Sequence, residues 1–242
     1  MKVVGSGVFI DSGQFGGSTG GCSCNEQFDQ FVLNGLAEAT FSHRNVLITF
    51  EYSWLSRTAP KFIYAQLQKG ARSKDYEIAL QWLKDSGLVH SVPRVKKPHL
   101  PLSAYQDNAF KLYGLDVGLL AAQSNLDASV LLEGSRIFTE FKGALTEQYV
   151  LQQLIATQEN PVFYWATEKG TAEVDFVVQR KQAVVPIEVK AEENLKAKSL
   201  KVYVEQFQPE QAIRFSMADY REQDWMVNVP LYGIIFYNHL EY

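Results

Sequence analysis

Three runs of β-branched and aromatic residues follow one another between residues 162 and 190, with short polar breaks between them. They are Val162-Phe163-Tyr164-Trp165, Glu173-Val174-Asp175-Phe176-Val177-Val178 and Ala183-Val184-Val185-Pro186-Ile187-Glu188-Val189-Lys190. Gly170 marks the first turn and Arg180-Lys181-Gln182 the second. Connections this short join neighbouring antiparallel strands, so the runs predict a meander. A helix signal precedes them over 135–158, where Phe141, Ala144, Leu151 and Leu154 recur at three- and four-residue spacing. A second helix is expected near 196–206, a strand at 212–215 and one more apolar element at 231–237. Helix, three strands, helix and strand predict an α/β sandwich with a mixed sheet over residues 130–242.

Residues 59–125 carry a different pattern. Phe62, Tyr64 and Leu67 suggest a short helix that ends near Gly70. Ser73 is placed to cap a second helix, on which Tyr76, Ala79, Leu80 and Leu83 share one face. Gly87 ends it, and strands are expected at 88–92 and 110–113 with Pro93, Pro98 and Pro101 in the loop between them. This is the outline of a winged helix. Lys69, Arg72 and Lys74 would meet phosphates at the start of its second helix, yet Asp75, Glu77 and Asp85 would repel them. A packing or protein-contact module therefore stands beside the DNA-reading one.

Residues 1–58 lack a sustained period, and their first 25 positions are rich in Gly and Ser. No Gly-Lys-Ser/Thr ending follows those glycines, so a phosphate-binding loop is not expected. Cys22 and Cys24 are too few for a metal cage and are read as reduced thiols of a cytoplasmic protein. A formal net charge of −4 argues against a general nucleic-acid coat but leaves room for a local basic patch. No apolar run is long enough to span a bilayer, so no membrane partner is expected.

The chemistry concentrates in the second and third strands. Successive strand residues point to opposite faces, so Glu188 and Lys190 share one face while Ile187 and Val189 take the other. Asp175, between Val174 and Phe176, is equally out of place as a core residue. Asp175 and Glu188 offer hard oxygen ligands for Mg²⁺ or Mn²⁺, and the Val189 carbonyl would add a third. Such a cation activates water and polarises a phosphodiester oxygen. Lys190 would orient the attacking water or offset charge in the transition state. Glu147 falls in the apolar stripe of the 135–158 helix, where a carboxylate is costly unless paired or holding a cation.

This ordered set of helix glutamate, strand aspartate and strand Glu-x-Lys resembles the PD-(D/E)XK nuclease superfamily, whose restriction-endonuclease-like α/β sandwich it implies. Val174 stands where that family often has a proline. A wider resemblance covers residues 60–240. Lys69-Gly70-Ala71-Arg72-Ser73, Ala79-Leu80-Gln81-Trp82-Leu83-Lys84-Asp85-Ser86-Gly87-Leu88, Lys111-Leu112-Tyr113, Gly143-Ala144-Leu145-Thr146-Glu147 and Pro230-Leu231-Tyr232 are among the stretches that carry it. They are similar to the C-terminal region, domain of unknown function 4143, of bacterial and archaeal AAA-type ATP-binding proteins. The resemblance implies an ATPase module as partner, which this chain does not carry, so a truncated or rearranged member is expected.

Two functions remain open at this level. One is a Mg²⁺-dependent deoxyribonuclease with Asp175, Glu188, Lys190 and Glu147 at its centre and Lys190, Lys196, Lys198 and Lys201 on the DNA side. The other is a non-catalytic DNA- or protein-binding module that serves an ATPase, with those lysines as a solvated helix face.

Overall fold

Strands β4 (Glu173–Arg180) and β5 (Ala183–Lys190) are the centre of the molecule, because both of their faces are covered by apolar side chains. A computed structural model describes Phe62 and residues 73–123, 139–157, 161–191 and 197–239. In chain order the elements are α1 (Ser73–Asp85), β1 (Val89–Val95), a 3₁₀ turn (Leu102–Tyr105), β2 (Gln106–Gly114), α2 (Val117–Gln123) and α3 (Thr139–Thr157). Then come β3 (Val162–Ala166), β4, β5, α4 (Lys198–Phe207), β6 (Ile213–Ser216), β7 (Arg221–Gln223), β8 (Met226–Pro230) and a 3₁₀ stretch (Leu231–His239). The expected meander is present: β3, β4 and β5 pair antiparallel.

The described strands form one eight-stranded sheet in the order β2-β1-β3-β4-β5-β6-β8-β7. Parallel pairing of β5 with β6 and of β6 with β8 makes the sheet mixed. Helix α3 covers one face through Val150, Leu151 and Leu154, which pack with Phe176, Val178, Val185 and Ile187. Helix α4 covers the other through Leu200 and Tyr203, against Phe163, Trp165, Val174 and Val177. The Trp165 ring meets Tyr203 edge-on at 5.3 Å, a favoured aromatic geometry. Burying side chains of this size at about 25 cal/mol per Å² makes the two faces the main source of stability.

The helix expected after residue 73 and the two strands after it are present, and β1 pairs antiparallel with β2. Their setting differs from a free-standing wing. The other edge of β1 pairs parallel with β3, Arg94 against Tyr164 and Val95 against Trp165, so the hairpin extends the central sheet. The expected short helix near 62–70 lies outside the described residues except for Phe62. Its amide donates to the Phe110 carbonyl at 2.9 Å and its ring stacks on Phe110. The leader at 1–58 and the linker around 125–130 also lie outside them.

Gln148, fully buried on α3, locks the hairpin to the helix. Its Nε2 donates to the Gly114 carbonyl at 2.8 Å, and its Oε1 accepts from the Gly114 amide at 3.1 Å. This reciprocal pair satisfies the backbone at the end of β2, where the ladder stops. It also fixes the height of α3 over the sheet, and so the position of Glu147 one residue earlier.

Candidate metal and nuclease site

The site begins with an irregularity in β4. Phe163 pairs with Val177 and Trp165 with Val174, so Asp175 and Phe176 together oppose the single residue Tyr164. Two residues against one is a β-bulge, a device that re-aims a side chain. Its effect on packing is plain: Val174 and Val177 belong to the α4 side, Phe176 and Val178 to the α3 side. Simple alternation, expected from the sequence, does not hold through Asp175. Backbone pairing of β4 with β5 reaches Phe176 opposite Ile187. Just beyond it the Asp175 carboxylate takes up the ladder, its Oδ2 accepting from the Val189 amide at 2.7 Å.

On β5, Val185, Ile187 and Val189 pack toward α3, and Val184 toward α4. Glu188 and Lys190 therefore share the α4 face, as strand period demands. The Lys190 Nζ lies 2.5 Å from Glu188 Oε1. Glu188 is buried, and its other oxygen, Oε2, is a buried acceptor without a hydrogen-bond partner among the described residues.

Glu147 arrives from α3, buried as its place in the stripe predicts. Its Oε1 accepts from Lys111 Nζ at 3.1 Å and from the Tyr113 hydroxyl. Lys111 also reaches Glu173 Oε1 at 2.6 Å, and its ammonium lies 5.2 Å from the centre of the Tyr164 ring. Glu147 is thus held by a lysine and a tyrosine of β2, two partners that the sequence reading did not assign to the site. A signal was available. Lys111 and Tyr113 are two apart on an apolar strand and so share a face, and a lysine flanked by Phe110 and Leu112 needs a buried counter-charge.

A third layer lies beside Glu188. Arg214 of β6 stands opposite Glu188 in register, and Asn228 of β8 stands opposite Arg214. Arg214 Nε donates to Asn228 Oδ1 at 2.8 Å, and Ser216 Oγ donates to the same oxygen at 2.7 Å. None of these three was anticipated, because their meeting depends on parallel register between distant segments.

Charge balance shapes the site. Burial pushes the Asp175 carboxyl well above the usual carboxylate range, and the carboxylates of Glu188 and Glu147 push it further, against Lys111 and Lys190. Burial also raises Glu188, opposed chiefly by Lys190. Burial works to lower the Lys111 ammonium, but Glu147, Glu173 and Asp175 outweigh it and hold it above its ordinary value. Lys190 is raised likewise, its burial outweighed by Glu188 and then by Asp175 and Glu147. Two carboxyls whose neutral forms are favoured by burial and by neighbouring carboxylates mark a place where positive charge is favoured.

Among the described residues, no three His, Cys, Asp or Glu side chains converge as a cage for a metal ion. Mg²⁺ does not require one, since it keeps several waters and commonly takes one or two carboxylates. Asp175 and Glu188, with one carboxylate oxygen, Glu188 Oε2, lacking a donor among the described residues, fit that smaller donor set. Glu147 fits the role of a second ion's ligand less well, because Lys111 and Tyr113 already occupy its Oε1.

Of the expected phosphate contacts, Lys198 and Lys201 are exposed on α4, where Lys201 faces Glu205 at 3.9 Å. Lys69, Arg72 and Lys196, and the side chain of Lys74, lie outside the described residues. No helix among the described residues is long and apolar enough to cross a membrane.

Residues 142–232 match the model of a family described as domain of unknown function (DUF4143). That span contains Glu147, Asp175, Glu188, Lys190, Arg214 and Asn228. Residues 43–130, with Lys111 and Tyr113, match a different model, also described as a domain of unknown function (DUF8612). Of the resemblance to domain of unknown function 4143 expected over 60–240, the match covers 142–232. No curated protein matches the chain. The crystal structure of protein VC1899 from Vibrio cholerae is similar at 11% identity with a TM-score of 0.24, over 89% of this chain and 54% of that one. The chain therefore spans about half the length of that relative.

Proposed function

We propose that this chain carries a nuclease-fold domain that uses a divalent cation to act on DNA. The observation that carries the reading is the pairing of the half-buried Asp175 at the β4 bulge with the buried Glu188 of β5. Asp175 sits on the amide that follows Glu188, and Glu188 keeps one oxygen without a donor among the described residues. Structural carboxylates are normally satisfied, and an unsatisfied buried one asks for an explanation.

Mg²⁺ or Mn²⁺ bound by Asp175, Glu188 and the Val189 carbonyl would supply Lewis-acid polarisation of a phosphodiester oxygen. The chain's own groups do the rest. Lys190, about a third exposed while its partner is buried, holds its ammonium against the Glu188 carboxylate. There it orients an attacking water or offsets negative charge growing on the phosphate. Lys111 and Tyr113 fix Glu147 beside the pair, so the site's negative charge is held in place before substrate arrives. Lys198 and Lys201 on α4 supply exposed positive charge for the backbone phosphates.

A second reading, a non-catalytic DNA- or protein-binding module that serves an ATPase, has one observation in its favour. Lys190 and Lys111 already pair with Glu188 and Glu147, so the site is partly neutralised from within. Incubation of the full chain with plasmid or single-stranded DNA separates the two, in Mg²⁺, Mn²⁺ or a chelator. Cation-dependent cleavage that falls on the order of 100-fold in Asp175→Ala and Lys190→Ala supports the nuclease. DNA binding without cleavage supports the module. Cleavage that survives both substitutions removes the site assignment.

A further inference from the structure

Arg214 is an unusual residue for the middle of a sheet. It is fully buried, on a strand whose other members Ile213, Phe215 and Ser216 are buried too. An arginine cannot shed its charge, so its burial must be compensated by partners. One straight row crosses three strands, with Glu188 on β5, Arg214 on β6 and Asn228 on β8 each opposite the next in register and Asn228 accepting from Arg214 Nε.

Asn228 is itself locked on every side. Its Oδ1 accepts from Arg214 Nε at 2.8 Å and from Ser216 Oγ at 2.7 Å. Its Nδ2 donates to the carbonyls of Ala218 at 3.1 Å and Asp219 at 2.8 Å. With both Nδ2 hydrogens and the Oδ1 lone pairs engaged, the amide has one orientation. The guanidinium it holds is consequently fixed as well. On the other side of the row, Arg214 stands opposite Glu188 across the β5–β6 pairing, while Lys190 holds Glu188 Oε1. Among the described residues, Glu188 Oε2 remains without a donor.

We propose that Arg214 and Asn228 are positioning residues for Glu188: Asn228 fixes the guanidinium, and the guanidinium together with Lys190 fixes the Glu188 carboxylate with Oε2 open to a divalent cation. The proposal rests on the nuclease-fold reading of this site. It deepens that reading by assigning a role to the row beyond the Asp and Glu-x-Lys positions. Neither Arg214 nor Asn228 touches substrate. Their effect is on how tightly the cation is held, and outer groups that orient a ligand carboxylate commonly change metal affinity by about 10- to 100-fold.

The test measures Mn²⁺ binding to the full chain by electron paramagnetic resonance, a readout that needs no catalysis. Circular dichroism establishes that each variant is folded. Arg214→Gln and Asn228→Ala should each weaken Mn²⁺ binding about 10-fold or more. Arg214→Lys, which keeps the charge but lacks the Nε that grips Asn228, should recover part of the loss. Ser216→Ala removes one bond to Asn228 with little change in volume. It should weaken binding less, and it keeps the test decisive if the arginine variants do not fold. Folded variants that bind Mn²⁺ within twofold of the unaltered chain overturn the positioning role and leave the nuclease-fold reading standing. Failure of the unaltered chain to bind Mn²⁺ overturns both.

Discussion

Lys111→Met tests the buried charge network most directly. The substitution keeps an unbranched chain of similar length and removes one positive charge. Glu147, only 5% exposed, is then left with the Tyr113 hydroxyl as its donor. Glu173 is 42% exposed at its side chain and can turn to water, so its lost pairing contributes at most about 1 kcal/mol. The cost comes from Glu147: breaking a buried pair by removing one partner typically costs about 3–5 kcal/mol. Glu147→Gln alone should cost less, about 1–3 kcal/mol, because Lys111 keeps Glu173 and the Tyr164 ring. In the double variant neither charge is orphaned, so the two losses should fall short of their sum by about 2 kcal/mol, within the usual range for contacting residues. Urea unfolding followed by the fluorescence of Trp165 and the other tryptophans measures all four states, provided the slopes agree. Additivity within about 0.5 kcal/mol would refute the argument, since it would mean that Lys111 and Glu147 do not see each other.

Three further outcomes follow from the same structure. Gln148→Ala removes both hydrogen bonds to Gly114 inside the core, leaves two backbone groups unsatisfied and should cost about 2–4 kcal/mol in the same assay; a loss below 1 kcal/mol contradicts the lock. Gly87 has a φ of +73° with open space where a Cβ would stand, so Gly87→Ala should cost about 1–2 kcal/mol through backbone strain alone, and no loss of melting temperature would show that the α1–β1 turn relaxes freely. The third concerns pH. The Asp175 and Glu188 carboxyls are raised by burial, so their contribution to stability is full below the unfolded value of about 4 and fades as pH rises through the folded values. His90 is lowered by burial, so its contribution is present above about 6.5 and is lost as pH falls through its folded value. In a His90→Gln background and a chelator, the protein should therefore melt higher at pH 5.5 than at pH 7.5, and a melt that is lower at pH 5.5 counts against the assigned burial of the two carboxyls.

What the sequence disclosed follows physical locality. Val162–Ala166, Glu173–Arg180 and Ala183–Lys190 were visible because each is a short apolar run with turn residues beside it. Glu147 stood out because a carboxylate in an apolar helical stripe is costly, and its burial against Lys111 is the compensation that cost demands. The bulge at Asp175 was not legible, because two residues opposing one is a property of the pairing with β3 and leaves no mark in β4 itself. Strands β7 and β8 were also missed. Arg221–Gln223 is wholly polar, and Met226–Pro230 carries Asn228 at its centre, so neither shows a strand pattern. Asn228 is explained by its bonds to Arg214, Ser216 and the Ala218 and Asp219 carbonyls, nine to fourteen residues away. The apolar run after Pro230 folds as a 3₁₀ stretch, Leu231–His239, with Ile234 buried and Tyr232, Ile235 and Phe236 exposed.

The parallel seam between β1 and β3 bears on how this chain can be divided. Two residue pairs join the hairpin to the meander there, Arg94 with Tyr164 and Val95 with Trp165. The two matched stretches, 43–130 and 142–232, meet across that seam, with Lys111 and Tyr113 on one side and Glu147 on the other. A gene fragment starting after residue 130 would leave β3 with an open row of amides and carbonyls, a template for pairing with another copy. It would also strip the counter-charge from Glu147. The two stretches therefore form one unit of stability although they match two different models, and a replacement of either has to keep its half of the ion pair.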